Sequence, residues 1–136
     1  MNSNRIKESI KVVCLLLLVM MLGGINSFAA GDSAKGKESF NTTCATCHGE
    51  TGKGDGPAAA SLDPKPRDLS SGEYVSTLTD EHIFKVIKEG GASVGKSFLM
   101  PAWGAVLSDD KIWDVIAYLR ADICKCQHKA INILIK

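Results

Sequence analysis

The sequence has no surplus of either charge. Its 16 Lys and Arg are matched by 15 Asp and Glu, a net of +1 over 136 residues, so the basic footprint of a nucleic-acid binder is missing. No run alternates apolar and polar residues with period two, which removes a sheet-based fold. No segment repeats, which removes a solenoid. Gly52, Gly54 and Gly56 lack both a flanking strand pattern and the Gly-Lys-Ser/Thr ending of a phosphate loop, so they do not form a nucleotide cradle. Long apolar runs are scarce too. The one continuous stretch near the amino terminus, residues 12–22, falls short of the roughly 20 residues that a bilayer-spanning helix needs.

What that amino terminus does contain is the layout of a secretory signal. Arg5, Lys7 and Lys11 form a basic start, residues 12–22 an apolar centre, and Ser27-Phe28-Ala29 offers small residues at the two positions a signal peptidase inspects. Residues 1–29 therefore read as a leader, with an uncleaved membrane anchor as the alternative. Cys14 follows Val12-Val13 rather than a small-residue lipobox and belongs to the apolar centre. The 136 residues then leave room for one domain, carrying about one negative charge once the leader is removed.

Of the five cysteines, two stand in Cys44-Ala45-Thr46-Cys47-His48. Two thiols three positions apart, followed at once by an imidazole, suit covalent capture of a haem. Each thiol can add across one porphyrin vinyl group, and His48 then lies beneath the iron as its proximal ligand. The competing reading is a redox or zinc CxxC in which His48 is incidental. Haem is attached to such motifs outside the bacterial cytoplasm, so the leader and the motif agree on a periplasmic protein.

Past the leader, Asp32 or Ser33 can cap a first helix through Gly36 and Phe40, which lie four apart on one face. A glycine there lowers helix propensity by roughly 1 kcal/mol relative to alanine, a cost that a close helix crossing would explain. Residues 49–71 read as loop. Thr79-Asp80-Glu81 starts a second helix with an Ile83, Val86, Ile87 stripe that ends at Gly90-Gly91, and His82 reads as a solvent-edge residue beside that stripe. Ser108-Asp109-Asp110 starts a third, with Ile112, Val115, Ile116, Leu119 and Ile123 at helical spacing. Between the last two helices, Met100 is the only methionine outside the leader. It sits in an apolar loop 52 positions after His48, and Pro101 stiffens the backbone beside it. Met100 is thus expected as the second axial ligand, with a core gap-filler as its alternative. A thioether raises the haem potential, and six-coordinate iron has no vacant position for substrate, so the pair favours electron transfer.

With these residues in hand, the chain resembles class I c-type cytochromes, especially monohaem domains like those of cbb3-oxidase haem subunits. The likeness runs from Ala34 to Arg120. It is carried by Gly36, Phe40, Cys44-Ala45-Thr46-Cys47-His48-Gly49, Gly52-Lys53-Gly54-Asp55-Gly56-Pro57, Pro66-Arg67-Asp68-Leu69, Met100-Pro101-Ala102-Trp103 and Trp113-Asp114-Val115-Ile116-Ala117-Tyr118-Leu119-Arg120. The resemblance implies an all-α small cytochrome c fold, three or more helices around one covalently bound haem c, with the first and last helices crossing near Gly36 and Tyr118. It also implies that a proline carbonyl accepts a hydrogen bond from His48 Nδ1, with Pro66 expected ahead of Pro64. Residues 30–122 would be the cytochrome domain and 123–136 a C-terminal extension. In that extension Cys124-Lys125-Cys126 and His128 read as a tail without function, a disulfide or partner contact, or a small metal site.

The function that follows is a non-enzymatic carrier of single electrons between a redox donor and an acceptor protein, with Lys53, Lys65 and Lys96 in loops that could steer an acidic partner. The alternatives are the same domain fixed within a larger oxidase or dehydrogenase, membrane-associated through its leader or that complex, and a ligand-binding haem enzyme or sensor. A zinc module on Cys44, Cys47, Cys124 and Cys126 would need pairs much further apart than those of a zinc ribbon.

Overall fold

The computed structural model describes residues 31–128, so residues 1–29, read above as a leader, and the apolar residues 131–135 lie outside the described residues. Within the described residues every regular element is helical: α1 (Ser33–Thr43), α2 (Ala45–His48), α3 (Gly72–Val75), α4 (Asp80–Glu89) and α5 (Asp109–Tyr118), with short 3-10 turns at Ala59–Ser61 and Gly91–Val94. The fold is all-α.

Each long helix starts where a side chain can satisfy its free amides. The Asp32 carboxylate accepts from Ala34 N and Lys35 N at 2.9 and 3.2 Å. Thr79 Oγ1 accepts from His82 N at 3.0 Å, and Ser108 caps α5 by accepting from Lys111 N. Asp80 and Glu81, then Asp109 and Asp110, add negative charge to the first turns of α4 and α5, where the helix dipole favours it.

The α1–α5 crossing is the densest contact. Gly36 and Phe40 are the buried face of α1, and a Cβ on Gly36 would lie 2.5 Å from the Asp114 carbonyl carbon and 2.9 Å from Tyr118 Cβ. Glycine is therefore what lets the two backbones meet. Phe40 and Tyr118 pack as tilted rings 5.5 Å apart, over Ile112, Val115 and Ile116, each at most 3 % exposed. The start of the domain is latched to the same helix: Asp32 N donates to Asp114 Oδ1 and Ser33 Oγ to Asp122 Oδ2, both at 2.6 Å. α4 joins α5 through Phe84 stacked on Trp113 at 4.8 Å.

Two features lie beyond the three long helices marked out in the sequence. α3 is a single turn capped by Ser71, too short to show periodicity in sequence. At the carboxyl end α5 runs on as one π-helical turn (Leu119–Ile123), closed by Cys124 N donating to Leu119 O at 2.9 Å.

Candidate functional site

A cavity of about 660 Å³ opens between α2, the 62–69 loop, α3, α4 and the loop before Pro101, within the usual size range of cofactor sites. Cys44, Cys47 and His48 border it, and so does Met100 with Leu99 and Pro101. Val75, Leu78, Ile83, Val86, Ile87 and Leu119 make much of the remaining wall apolar.

The motif is presented by tight backbone geometry. α2 ends at His48, and Gly49 follows with φ +77° where a Cβ would run into the Asp55 carboxylate. The next segment folds straight back on the motif: Gly54 N donates to His48 O at 2.8 Å, Gly56 N to Cys47 O at 3.2 Å and Ala58 N to Thr46 O at 2.9 Å. The glycine-rich loop is thus a bracket for the Cys-x-x-Cys-His turn. Both thiols are free. Cys44 is buried, and burial pushes its thiol pKa up, so it stands as a neutral thiol.

His48 Nδ1 lies 3.2 Å from Arg67 O. A carbonyl only accepts, so this bond puts the proton on Nδ1 and leaves the Nε2 lone pair bare. Burial lowers the His48 pKa, with the Arg67 hydrogen bond pulling the other way; the neutral form is the one that can ligate a metal. The acceptor is one residue beyond the expected Pro66. The Pro66 carbonyl is instead turned onto Gly54, where a Cβ would collide with it, and Leu69 N pairs with Gly52 O at 2.6 Å. That register directs the Arg67 carbonyl, not its neighbour's, at the imidazole. Pro66 and Pro64 remain in the cavity wall.

The Met100 loop is sewn to the end of α4. Gly91 N donates to Met100 O at 2.9 Å, Trp103 N to Ile87 O at 2.9 Å and Gly104 N to Lys88 O at 3.0 Å. A Cβ on Gly90 would meet Met100 O at 3.0 Å, which explains why α4 ends in Gly90-Gly91.

His82 is half-buried and borders the cavity, sharing a face with Val86 one turn on. Lys65 and Lys96 also reach the cavity wall. Sequence reasoning did not single out Arg120, which is 5 % exposed. Its guanidinium binds Asp80 Oδ1 through Nε (2.8 Å), Val75 O through Nη1 (2.9 Å) and Leu78 O through Nη2 (2.6 Å). It therefore ties α5 to two residues of the cavity wall. In the sequence it closes the last stretch that carries the family resemblance and lies one turn after Ile116 on the apolar stripe, but nothing there gives its role. Arg67, the residue whose carbonyl serves His48, lays its guanidinium over the Tyr74 ring at 4.7 Å.

A haem fits these residues. Two unbonded thiols and an imidazole with a free nitrogen share an apolar cavity with Met100, a donor set that suits a covalent haem. The four cysteines of the zinc reading are not gathered. Cys124 and Cys126 are bonded to each other, and among the described residues no three His, Cys, Asp or Glu side chains cluster as a metal site.

Residues 31–119 match the family model described as cytochrome c oxidase, cbb3-type, subunit III. The chain belongs to this family of c-type cytochrome domains. The cytochrome is 33% identical over 98 residues to the cbb3-type cytochrome c oxidase subunit FixP of Azorhizobium caulinodans, covering 70% of this chain and 30% of that one. It is 33% identical over 89 residues to cytochrome c-554(548) of Halomonas halodenitrificans, covering 65% of this chain and 94% of that one. Among solved structures it is similar to a chain of the Kuenenia stuttgartiensis reducing HAO-like protein complex Kustc0457/Kustc0458, with a TM-score of 0.52 and 28% identity over 68% of this chain and 43% of that chain. The chain thus spans less than half of the oxidase subunit and of the solved chain, and nearly all of cytochrome c-554(548). Membership carries with it covalently bound haem c and a role in carrying electrons.

Proposed function

We propose that the domain carries one electron at a time, in the periplasm, between a donor and an acceptor protein, through a single haem c whose iron is held between His48 and Met100. One observation carries this reading: Cys44, Cys47, His48 and Met100 all border one apolar cavity. When bound, the group supplies a one-electron ferric–ferrous couple. Cys44 and Cys47 fix it to α2 through thioether bonds. His48 offers Nε2, oriented by its Nδ1 bond to Arg67 O, which also raises the basicity of the ligand. Met100 would supply the thioether to the iron, and a ligand there would leave no coordination position for a substrate, while the apolar wall from Val75 to Leu119 would limit water at the group. The chain's own work is to hold, orient and shield; no proton or bond is moved at a side chain.

The match to an oxidase subunit of which this chain spans 30% favours, as a second reading, the same domain working as a fixed part of a larger complex. Co-purification with a membrane oxidoreductase separates the two.

The decisive test is Met100→Ala in protein made with cytochrome-maturation machinery. The variant should keep its covalent haem, lose the spectral signature of thioether ligation and show a lower potential than the parent. An unchanged spectrum and potential would refute His48/Met100 ligation. Pyridine haemochrome assay with intact mass should give one haem per chain and a mass that dates leader cleavage near residue 29.

A further inference from the structure

Cys124 and Cys126 follow the π-helical turn that ends α5 and are joined as a disulfide of sequence separation 2. A bridge this short ties no two elements together, and the chain-entropy effect of a cross-link grows with the loop it closes. The segment is also held without it: Cys124 N donates to Leu119 O at 2.9 Å and Cys126 N to Arg120 O at 3.0 Å. A purely structural role leaves the bond unexplained. Its surroundings suit chemistry instead.

We propose that Cys124–Cys126 is a thiol–disulfide exchange site that accepts two electrons from a dithiol reductant, of the kind two neighbouring cysteines of a partner supply. Three features make the two sulfurs unequal. Cys124 is 8 % exposed, whereas Cys126 is the accessible member. Arg120 Nη1 lies 3.7 Å from Cys126 Sγ, a cation placed to stabilise a thiolate there. Cys124 Sγ lies 3.9 Å from Arg120 O and 3.7 Å from Cys126 O, two carbonyls that would accept a hydrogen bond from a Cys124 thiol and so favour its protonated form. Between them Lys125 has φ +49°, a left-handed conformation that a non-glycine residue adopts reluctantly and that opening the bond would release.

The step balances. A thiolate of the reductant attacks Cys126 Sγ, the disulfide breaks, and Cys124 leaves with the electron pair and takes a proton. The second thiolate then attacks the reductant's own sulfur in the mixed disulfide and displaces Cys126 as a thiolate beside Arg120. The reductant ends as a disulfide, and Cys124 and Cys126 hold its two electrons.

The test uses the full-length haem-loaded protein with dithiothreitol as the probe. After native incubation, acid quench and alkylation, the mass of the peptide spanning 120–128 is read. With the haem held ferrous from the start by ascorbate, two added alkyl groups at millimolar dithiothreitol, with an unchanged ferrous Soret spectrum and far-UV dichroism, are expected. Resistance of the native protein under conditions that reduce the urea-unfolded chain would overturn the proposal. The asymmetry is read from Cys124→Ser and Cys126→Ser with an aromatic disulfide reagent. Cys124→Ser, which leaves Cys126 free, should react roughly tenfold or more faster than Cys126→Ser, because access and thiolate fraction set the rate. Equal rates would overturn the assignment of Cys126. Should either variant fail to fold, the reduction of the parent protein decides alone.

Discussion

Gly36→Ala is the sharpest perturbation this fold offers, because two physical effects predict opposite signs. In an isolated helix the change gains about 1 kcal/mol. Here the new methyl would stand 2.5 Å from the Asp114 carbonyl carbon, closer still to its oxygen, and 2.9 Å from Tyr118 Cβ. Two of those three neighbours are backbone atoms of α5, so no side chain can swing aside. Restoring an ordinary 3.4 Å contact to the Asp114 oxygen requires α1 and α5 to part by about 1.5 Å, which loosens the Phe40–Tyr118 pair and the Ile112, Val115 and Ile116 layer beneath it. Overpacking of a well-packed core costs about 1–3 kcal/mol, and a rigid backbone partner puts this case at the upper end. Subtracting the propensity gain leaves a net loss of about 2 kcal/mol. For a domain of this size that is a fall in Tm of roughly 8–16 °C. The assay is thermal unfolding of the ferric haem protein, followed in parallel by far-UV dichroism and the Soret band. Gly95→Ala is the control: Gly95 has φ +70° and no atom within 4 Å of an added Cβ, so only the left-handed backbone opposes it, at about 1–2 kcal/mol, with the haem spectrum intact. A Gly36→Ala protein that melts at or above the parent would refute the crossing as the reason for the glycine.

Arg120→Met should cost about 3 kcal/mol, since the Val75 and Leu78 carbonyls lose their donor and a buried unpaired acceptor costs roughly 1–3 kcal/mol; an unchanged urea midpoint would contradict it. Asp32→Ala should lower Tm at pH 7, with the gap to the parent closing in acid. The Asp32 carboxyl is held below its usual 3.8, chiefly by the Lys35 amide. Its stabilisation is therefore present above the unfolded value and lost as pH falls through the lowered one; a gap that persists in strong acid would show that the cap does not depend on the charge.

What could be read from sequence was what depends on neighbours a few residues away. The caps at Asp32, Thr79 and Ser108 are local hydrogen bonds, and the stripe of α5 is a local period, so both were legible. Gly36 was legible for a related reason: its helix-breaking cost had to be offset by something, and a close crossing is the usual offset. The acceptor for His48 was missed by one residue because its register is fixed across the loop, by Leu69 N on Gly52 O and by the Pro66 carbonyl packing on Gly54. Arg120 was missed because its partners lie 40 to 45 positions away. α3 was missed because four residues carry no measurable period. His82 was placed on the correct helix at the edge of its stripe, but that the edge borders the cavity depends on distant elements.

The cavity also decides how the domain is stabilised. Phe40, Ile112, Val115 and Ile116 pack on one another at the α1–α5 crossing, whereas Val75, Leu78, Ile83, Ile87 and Leu119 come from four elements and face a space of about 660 Å³. That space opens to solvent, so without haem it fills with water, and its apolar lining forgoes the burial that a haem face would give, at about 25 cal/mol per Å². The protein lacking haem should therefore be largely unfolded: the α1–α5 crossing alone is too small a core to hold α3, α4 and the Met100 loop in place. A Cys44→Ser, Cys47→Ser double variant, purified without haem, should show weak helical dichroism and rapid proteolysis where the loaded parent resists. A helical, protease-resistant apoprotein would mean that the protein atoms can close over the cavity by themselves.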